Sequence, residues 1–250
     1  MADELVEGAA PFAASNGTSG VLLLHGFTGS PSSLRALAEA FADAGFAVEL
    51  PLLPGHGTSV EELSAFGFDD FAAAADAAYL DLAARCDRTV VCGLSMGGTL
   101  ACWLAQRHHD LAGLVLVNPL VEPPADSALE LLRGALAGGN DVVPAIGSDI
   151  ARPGVREDAY DATPIAPLLS VLGATTPVSE GLGEICCPVL LLSSRVDHVV
   201  PTSSSDLVER RVGGPVERVI LENSYHVATL DHDAEEIEQR AVAFAWKVTH

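Results

Sequence analysis

Short apolar runs of strand length alternate with stretches of helical period, and this predicts one doubly wound α/β domain with a mostly parallel sheet. Three observations carry that expectation. The runs at 21–24, 114–117 and 189–192 are continuously apolar, as strands covered on both faces must be. Apolar residues then recur at helical spacing, as at Leu34, Leu37, Ala38 and Phe41. Finally, Thr89-Val90-Val91-Cys92 runs into Gly93-Leu94-Ser95-Met96-Gly97, the composition of a sharp turn between a buried strand and a helix.

At 250 residues the chain is long enough for one large core, so residues 1–250 are taken as a single domain. The net charge of −21, with Lys247 the only lysine, excludes nucleic acid and anionic membrane surfaces as natural partners. Five cysteines, odd in number and without metal-ligand spacing, read as reduced residues of an apolar interior, and no metal site is expected. Met1-Ala2-Asp3-Glu4 lacks the basic and apolar parts of a secretory leader, and no run of about 18 apolar residues occurs, so the expected location is the cytoplasm, without stable membrane insertion. Nothing in the composition bears on oligomeric state.

The first strand, 21–24, delivers His25-Gly26-Phe27-Thr28-Gly29-Ser30-Pro31. Its glycines let the loop curl, and Ser30 with Pro31 opens a helix. Such a loop brings the Phe27 amide over a neighbouring strand end, while His25 serves to hold the loop by hydrogen bonds. After the strand at 47–50, Pro51 to Gly57 forms a rigid loop braced by His56. Residues 68–84 read as a helix whose Asp69 and Asp70 suit its N-terminus, and the helix after Ser95 is expected to run to about His109. His108 and His109 are adjacent and point to different faces, which does not make a metal site.

The strand rhythm stops between 122 and 181, and an insertion of that size between parallel strands reads as a lid. Helices are expected at 127–137 and 161–172. Leu129, Leu132, Leu136, Ile146, Ile165, Leu168, Leu169 and Leu172 are its apolar residues, available either to pack the lid or to line an acyl pocket. The sheet resumes at 189–192 and presents Asp197, then ends at 219–221 and presents His226; a helix over 234–248 closes the chain.

A serine hydroxyl is a weak nucleophile and needs a base that is itself oriented by a carboxylate. Ser95, Asp197 and His226 occur in that order, each just beyond a strand, where a parallel sheet gathers its loops. Asp206, Asp231 and Asp233 compete for the acid, and His198 and His232 for the base, all from less favourable positions. Met96, first in the helix, offers an amide to a developing oxyanion, and the Phe27 amide offers a second.

Taken together, His25-Gly26-Phe27-Thr28-Gly29-Ser30-Pro31, Pro54-Gly55-His56-Gly57, Gly93-Leu94-Ser95-Met96-Gly97-Gly98, Asp197-His198-Val199-Val200 and Ser224 through Asp231 resemble the bacterial carboxylesterase and monoacylglycerol lipase group of the α/β-hydrolases. The resemblance runs from Val21 onward. It implies the α/β-hydrolase fold with an inserted lid over 122–181, Ser95 as nucleophile, Asp197 as acid, His226 as base, and Phe27 and Met96 as oxyanion donors. The polar segment from Asp149 to Asp161 resembles a lid segment of that group in which a glutamate faces the glycerol hydroxyls, by position Glu157; the other reading of the same residues is a solvated charge cluster of Arg152, Arg156, Glu157 and Asp158 on the lid surface. The expected activity is hydrolysis of short- to medium-chain carboxylic esters through an acyl-enzyme, with a small-molecule ester as partner and no metal or organic cofactor. Thioester hydrolysis and acyl transfer use the same residues, and a binding protein that has lost turnover is a different class of outcome. The lid and residues 176–184 depart from the group's pattern, so substrate range is where it says least.

Overall fold

The computed structural model describes residues 5–145 and 147–250. The expectations drawn on Met1 to Glu4 and on Ile146 lie outside the described residues. In chain order the strands are β1 (Phe12–Ser15), β2 (Ser19–Leu24), β3 (Ala47–Leu50), β4 (Arg88–Leu94), β5 (Gly113–Val117), β6 (Val142–Pro144), β7 (Ala162–Pro164), β8 (Val189–Ser194) and β9 (Val216–Leu221). The α-helices are α1 (Arg35–Asp43), α2 (Val60–Leu63), α3 (Phe68–Ala83), α4 (Met96–Ala105), α5 (Asp126–Ala137), α6 (Ile165–Glu180), α7 (Ser203–Arg211) and α8 (Ala234–Thr249).

Seven strands form the main sheet in the order β1-β3-β2-β4-β5-β8-β9. Only the β1–β3 pair is antiparallel, with Phe12 opposite Leu50, and the other neighbours run parallel, as the apolar runs predict. Alternation along β2 shows how the core divides. Leu22 and Leu24 pack with Phe71 and Leu100 on the α3–α4 side, while Val21 and Leu23 pack with Phe41 and Phe244 on the α1–α8 side. Both layers are closed to water, and truncating a side chain such as Phe41 would cost about 3–5 kcal/mol. The chain steps outward from β2 to β3 and then crosses back to β4, so the direction of winding reverses between β2 and β4. That switch point leaves a crevice at the carboxyl ends of the two strands, where doubly wound sheets bind ligands.

Five details differ from the sequence reading. Strand β1 was hidden because four residues of alternating exposure carry little signal. Helix α4 stops at Ala105 rather than near 109, because the Leu104 carbonyl accepts both Arg107 N and His108 N and the chain turns there to bury Leu111 and Ala112. Between β5 and β8, residues 162–164 pair with 142–144 as a short antiparallel ribbon, which moves the start of the next helix to Ile165. That helix then continues to Glu180 in spite of Gly173 and Pro177, since Val171, Thr175 and Val178 are buried in the core layer of α3 and α4. Of the cysteines, Cys92 and Cys102 are buried and Cys86 and Cys187 half-buried, but Cys186 is exposed ahead of β8, so it is not a core residue.

Candidate active site

Strand β4 ends at Leu94 and α4 begins at Met96, leaving Ser95 alone to turn the chain. Its φ of 56° and ψ of −117° lie where an L-residue is strained by about 1–3 kcal/mol. The surroundings enforce this. A Cβ on Gly97 would lie 1.9 Å from the Leu24 carbonyl oxygen, and one on Gly93 would lie 2.1 Å from that of Gly97, so neither position admits a side chain. Ser95 N donates to Val117 O at 3.0 Å, and Ser95 O accepts from Leu120 N at 3.1 Å, which ties the turn to the end of β5.

The loops after β8 and β9 bring the other two predicted residues beside it. His226 Nδ1 donates to Asp197 Oδ2 at 2.8 Å, with the side chains 7% and 3% exposed. The second carboxylate oxygen accepts from Val199 N and Val200 N, both at 2.8 Å. A carboxylate only accepts, so it holds the imidazole with the proton on Nδ1 and leaves Nε2 as an acceptor. His226 and Ser95 line the same cavity of about 270 Å³.

Phe27 lines that cavity too. A Cβ on Gly26 would be 3.5 Å from Ser95 Cβ, so the loop after β2 passes directly over the serine. Met96 is the first residue of α4, and its amide is among those with no acceptor inside the helix. His25 is buried and bonded on both nitrogens: Nδ1 donates to Gly26 O at 2.9 Å and Nε2 accepts from Leu53 N at 3.1 Å. Burial and the neighbouring His56 push its pKa down to about 3, so it stays neutral and serves the loop. His56 donates from Nδ1 to Pro54 O, packs edge-on against Phe27 and Phe71, and is pushed down to about 4 by burial.

The competing residues are occupied elsewhere. Asp231 accepts from the amides of Ala151, Arg152, Tyr225 and His232. Asp206 pairs with Arg218, and Asp233 accepts from Asn223. His198 pairs with Asp149 at 2.7 Å, and His232 lies exposed. His108 bonds to Asp76, and among the described residues no group of three His, Cys, Asp or Glu could hold a metal ion.

Glu157 lines the same cavity, beside the loop after β2. Its Oε1 lies 2.7 Å from where a Cβ on Gly29 would sit, so the Gly29 turn is shaped to admit the carboxyl. Burial raises its pKa to about 7, against the opposing field of His226 and with the help of Asp158. The rest of the wall is largely apolar, with Leu120, Leu168, Leu172, Val199 and Val200. Of the eight apolar residues expected to pack the lid or line a pocket, Leu168 and Leu172 alone reach it among the described ones, joined from the same insertion by Val143, Pro144, Ala145 and Ala159, while Ile165 is buried and α5 buries none of its residues. A larger depression of about 870 Å³ between α4 and α6 contains none of the predicted site residues.

Two residues of the site escaped sequence reasoning. Asn118, at φ 44°, donates from Nδ2 to Ser194 Oγ and to His226 O, and accepts on Oδ1 from Ser194 N. An asparagine followed by proline just beyond a buried strand was the available signal, since asparagine tolerates the left-handed region. Asp149 gave no signal at all, because its partners lie 49 and 77 residues away in sequence.

A strained serine on a strand-to-helix turn, beside a buried His–Asp pair delivered by two later strands, defines the class of fold. Residues 21–240 match the model of the Alpha/beta hydrolase family, and the chain belongs to that family. Within it the chain falls in the bacterial esterase and monoacylglycerol lipase group. It is 43% identical over 244 residues to the thermostable monoacylglycerol lipase of Bacillus sp. (strain H-257), covering 96% of this chain and 95% of that one. It is 26% identical over 241 residues to a carboxylesterase of Bacillus subtilis (strain 168), covering 95% and 96%. A solved structure from work on LipS and LipT, two metagenome-derived lipolytic enzymes, superposes with a TM-score of 0.91 at 40% identity, covering 98% of this chain and all of the other. No helix of the described residues is long and apolar enough to cross a membrane.

Proposed function

We infer that the protein is a serine carboxylic-ester hydrolase that works through an acyl-enzyme on short- to medium-chain esters, with monoacylglycerols as the favoured class. The observation that carries this reading is the buried Asp197–His226 hydrogen bond beside the strained Ser95, at a largely apolar cavity that Ser95 and His226 both line. Ser95 Oγ attacks the ester carbonyl carbon while His226 Nε2 takes its proton. The oxyanion forms against the amides of Phe27 and Met96, each such donor being worth about 10²–10³ in rate. Protonated His226 then gives its proton to the departing alcohol. Water, activated by the same nitrogen, releases the acid. Asp197 keeps the ring in register and stabilises the imidazolium.

Glu157 is the residue we assign to the alcohol side. A carboxyl set against the Gly29 turn, in a cavity whose lining is largely apolar and fit for an acyl chain, accepts hydrogen bonds from a diol. The name of the 43% identical relative supports the same choice. We read residues 1–250 as one catalytic domain, 122–181 as its lid, and the cytoplasm as its location.

The test is a panel of esters and thioesters of graded chain length, followed for a burst of alcohol or thiol release. A burst with esters, highest kcat/KM on a monoacylglycerol, supports the proposal. A preference for thioesters would move the function to thioester hydrolysis, and binding without a burst would leave a non-catalytic receptor.

A further inference from the structure

The insertion is tied to the loop that carries His226, and the tie passes through Asp149. This residue lies on the strap of the lid between β6 and β7. Its carboxylate Oδ2 accepts from His226 N and from His198 N, both at 3.1 Å, and Oδ1 pairs with His198 Nδ1 at 2.7 Å. Its main-chain oxygen accepts from Val227 N at 3.1 Å. Two consecutive amides of the base loop are thus satisfied by one residue of the lid. Asp231 returns the tie from the other side, since its carboxylate accepts from Tyr225 N on the base loop and from Ala151 N and Arg152 N on the strap.

The position of an imidazole has two determinants, the direction of the ring and the place of its Cα. Asp197 sets the first through Nδ1. For the second, the His226 carbonyl is held by Asn118, but a peptide held at its oxygen alone can still swing about that bond. Asp149 holds the amide on the other side of Cα and completes the fix. Its carboxylate is nearly buried, at 10% exposure. Burial alone would raise its pKa, but the bonds from His198 and His226 outweigh this and hold it below the ordinary range, so it remains an acceptor.

We propose that Asp149 is a positioning residue for the catalytic base: through it the docked lid strap, the His198 turn beside Asp197 and the His226 loop act as one unit, and the triad is aligned only when the strap is seated. This rests on reading His226 as the base. Displacing a reacting group by about 1 Å costs on the order of 10²-fold in rate, so the tie matters for turnover more than for substrate affinity.

The experiment uses the full chain with Asp149→Ala, Asp149→Asn and, as a reference, Ser95→Ala. Turnover of p-nitrophenyl butyrate gives kcat and KM per active site, titrated with a fluorophosphonate. Proton NMR follows the far-downfield resonance of the proton between His226 and Asp197. For Asp149→Ala we expect kcat to fall by roughly 10- to 100-fold with KM within about threefold, and the downfield resonance to broaden or shift. Asp149→Asn should recover kcat to within about threefold of wild type and keep the resonance, because its amide oxygen accepts both main-chain donors while its NH2 faces His198 Nδ1. An unchanged kcat in Asp149→Ala, a loss confined to KM, or an asparagine variant as slow as the alanine one would overturn the proposal. Should Asp149→Ala not fold, folded Asp149→Asn decides it, and loss of the downfield resonance there overturns it. Turnover retained by Ser95→Ala would instead sink the reading of the site, a separate failure, since the resonance does not depend on turnover.

Discussion

Asn118 Nδ2 donates to the main-chain oxygen of His226 at 2.8 Å while its Oδ1 accepts from Ser194 N at 2.8 Å, so one side chain at the end of β5 spans the strand leading to Asp197 and the loop carrying His226. Asn118→Asp would turn a donor facing carbonyl oxygens into a charge that repels them. We expect kcat to drop by about 10²-fold and the protein to lose about 1–3 kcal/mol, read by ester turnover and urea unfolding. Wild-type turnover in the aspartate variant would show that this span does not align the base.

Ser95→Ala should bring ester turnover close to background with the fold retained, since oxyanion donors without a nucleophile do little. Ser95→Gly should be just as inactive but more stable than the alanine variant by about 1–2 kcal/mol, because only glycine adopts φ 56° and ψ −117° without strain. Thermal unfolding of the pair separates the nucleophile's chemistry from its strain. Identical midpoints would mean that the turn is not strained.

Asp197→Asn should be less severe than His226→Ala. The acid orients the ring and stabilises its charge, whereas the base moves the proton. Asp231→Asn should chiefly destabilise, because it weakens acceptors for four amides and touches no reacting atom. A folded Asp231 variant losing as much kcat as Asp197→Asn would move the acid.

Glu157 makes two predictions that share one group. Its folded pKa is raised to about 7 from an ordinary 4.5, so the folded protein resists losing that proton. The penalty is absent below about pH 4.5, grows as pH rises toward 7 and is complete above it, reaching about 3 kcal/mol by linkage. Glu157→Gln should therefore gain stability over wild type at pH 8 but not at pH 4. Glu157→Leu should raise KM for a monoacylglycerol by about tenfold and leave p-nitrophenyl ester hydrolysis nearly unchanged. Equal effects on both substrates would favour a general carboxylesterase.

His25 and His56 set the acid limb. Both have folded pKa values below the unfolded one, at about 3 and about 4, so below about pH 6.5 the unfolded chain takes up protons that the folded rings refuse. Stability from these groups is complete above pH 6.5 and is lost as pH falls toward 4, by roughly 3 kcal/mol for each ring. His56→Gln, which keeps a donor for Pro54 O, should lose less stability between pH 6.5 and pH 4 than wild type. A parallel loss would place the acid sensitivity elsewhere.

Much of this was legible in the sequence, and the reasons differ by element. The buried strands announced themselves because a strand covered on both faces has no polar positions, as at Leu114-Val115-Leu116-Val117. Ser95 could be found because the turn leaves its neighbours no room for side chains, which forces glycine at 93 and 97. The bond between His226 and Asp197 needed only the rule that loops after parallel strands gather on one edge. Helix α6 was misjudged because Gly173 and Pro177 are local signals, whereas Val171 and Val178 are buried by a tertiary contact. Asp149 was invisible for the same reason, as its partners are distant in sequence.

The insertion joins two very unequal parts. Its strap, around Asp149 to Tyr160, is bonded to the loops after β2, β3 and β9, with Tyr160 N donating to Thr28 O and the Tyr160 hydroxyl (Oη) donating to Gly55 O. Helix α5 buries no residue, and its Leu131 is 75% exposed. Substitution should therefore be tolerated very differently along the 60 residues of one segment: changes on the exposed face of α5 leave the loops around Ser95 and His226 untouched, whereas changes in the strap disturb them. The strap also carries Glu157, Ala159 and Tyr160 into the cavity while α5 reaches none of it, so a change of substrate preference would be expected to arise at 149–160 and not at 126–137.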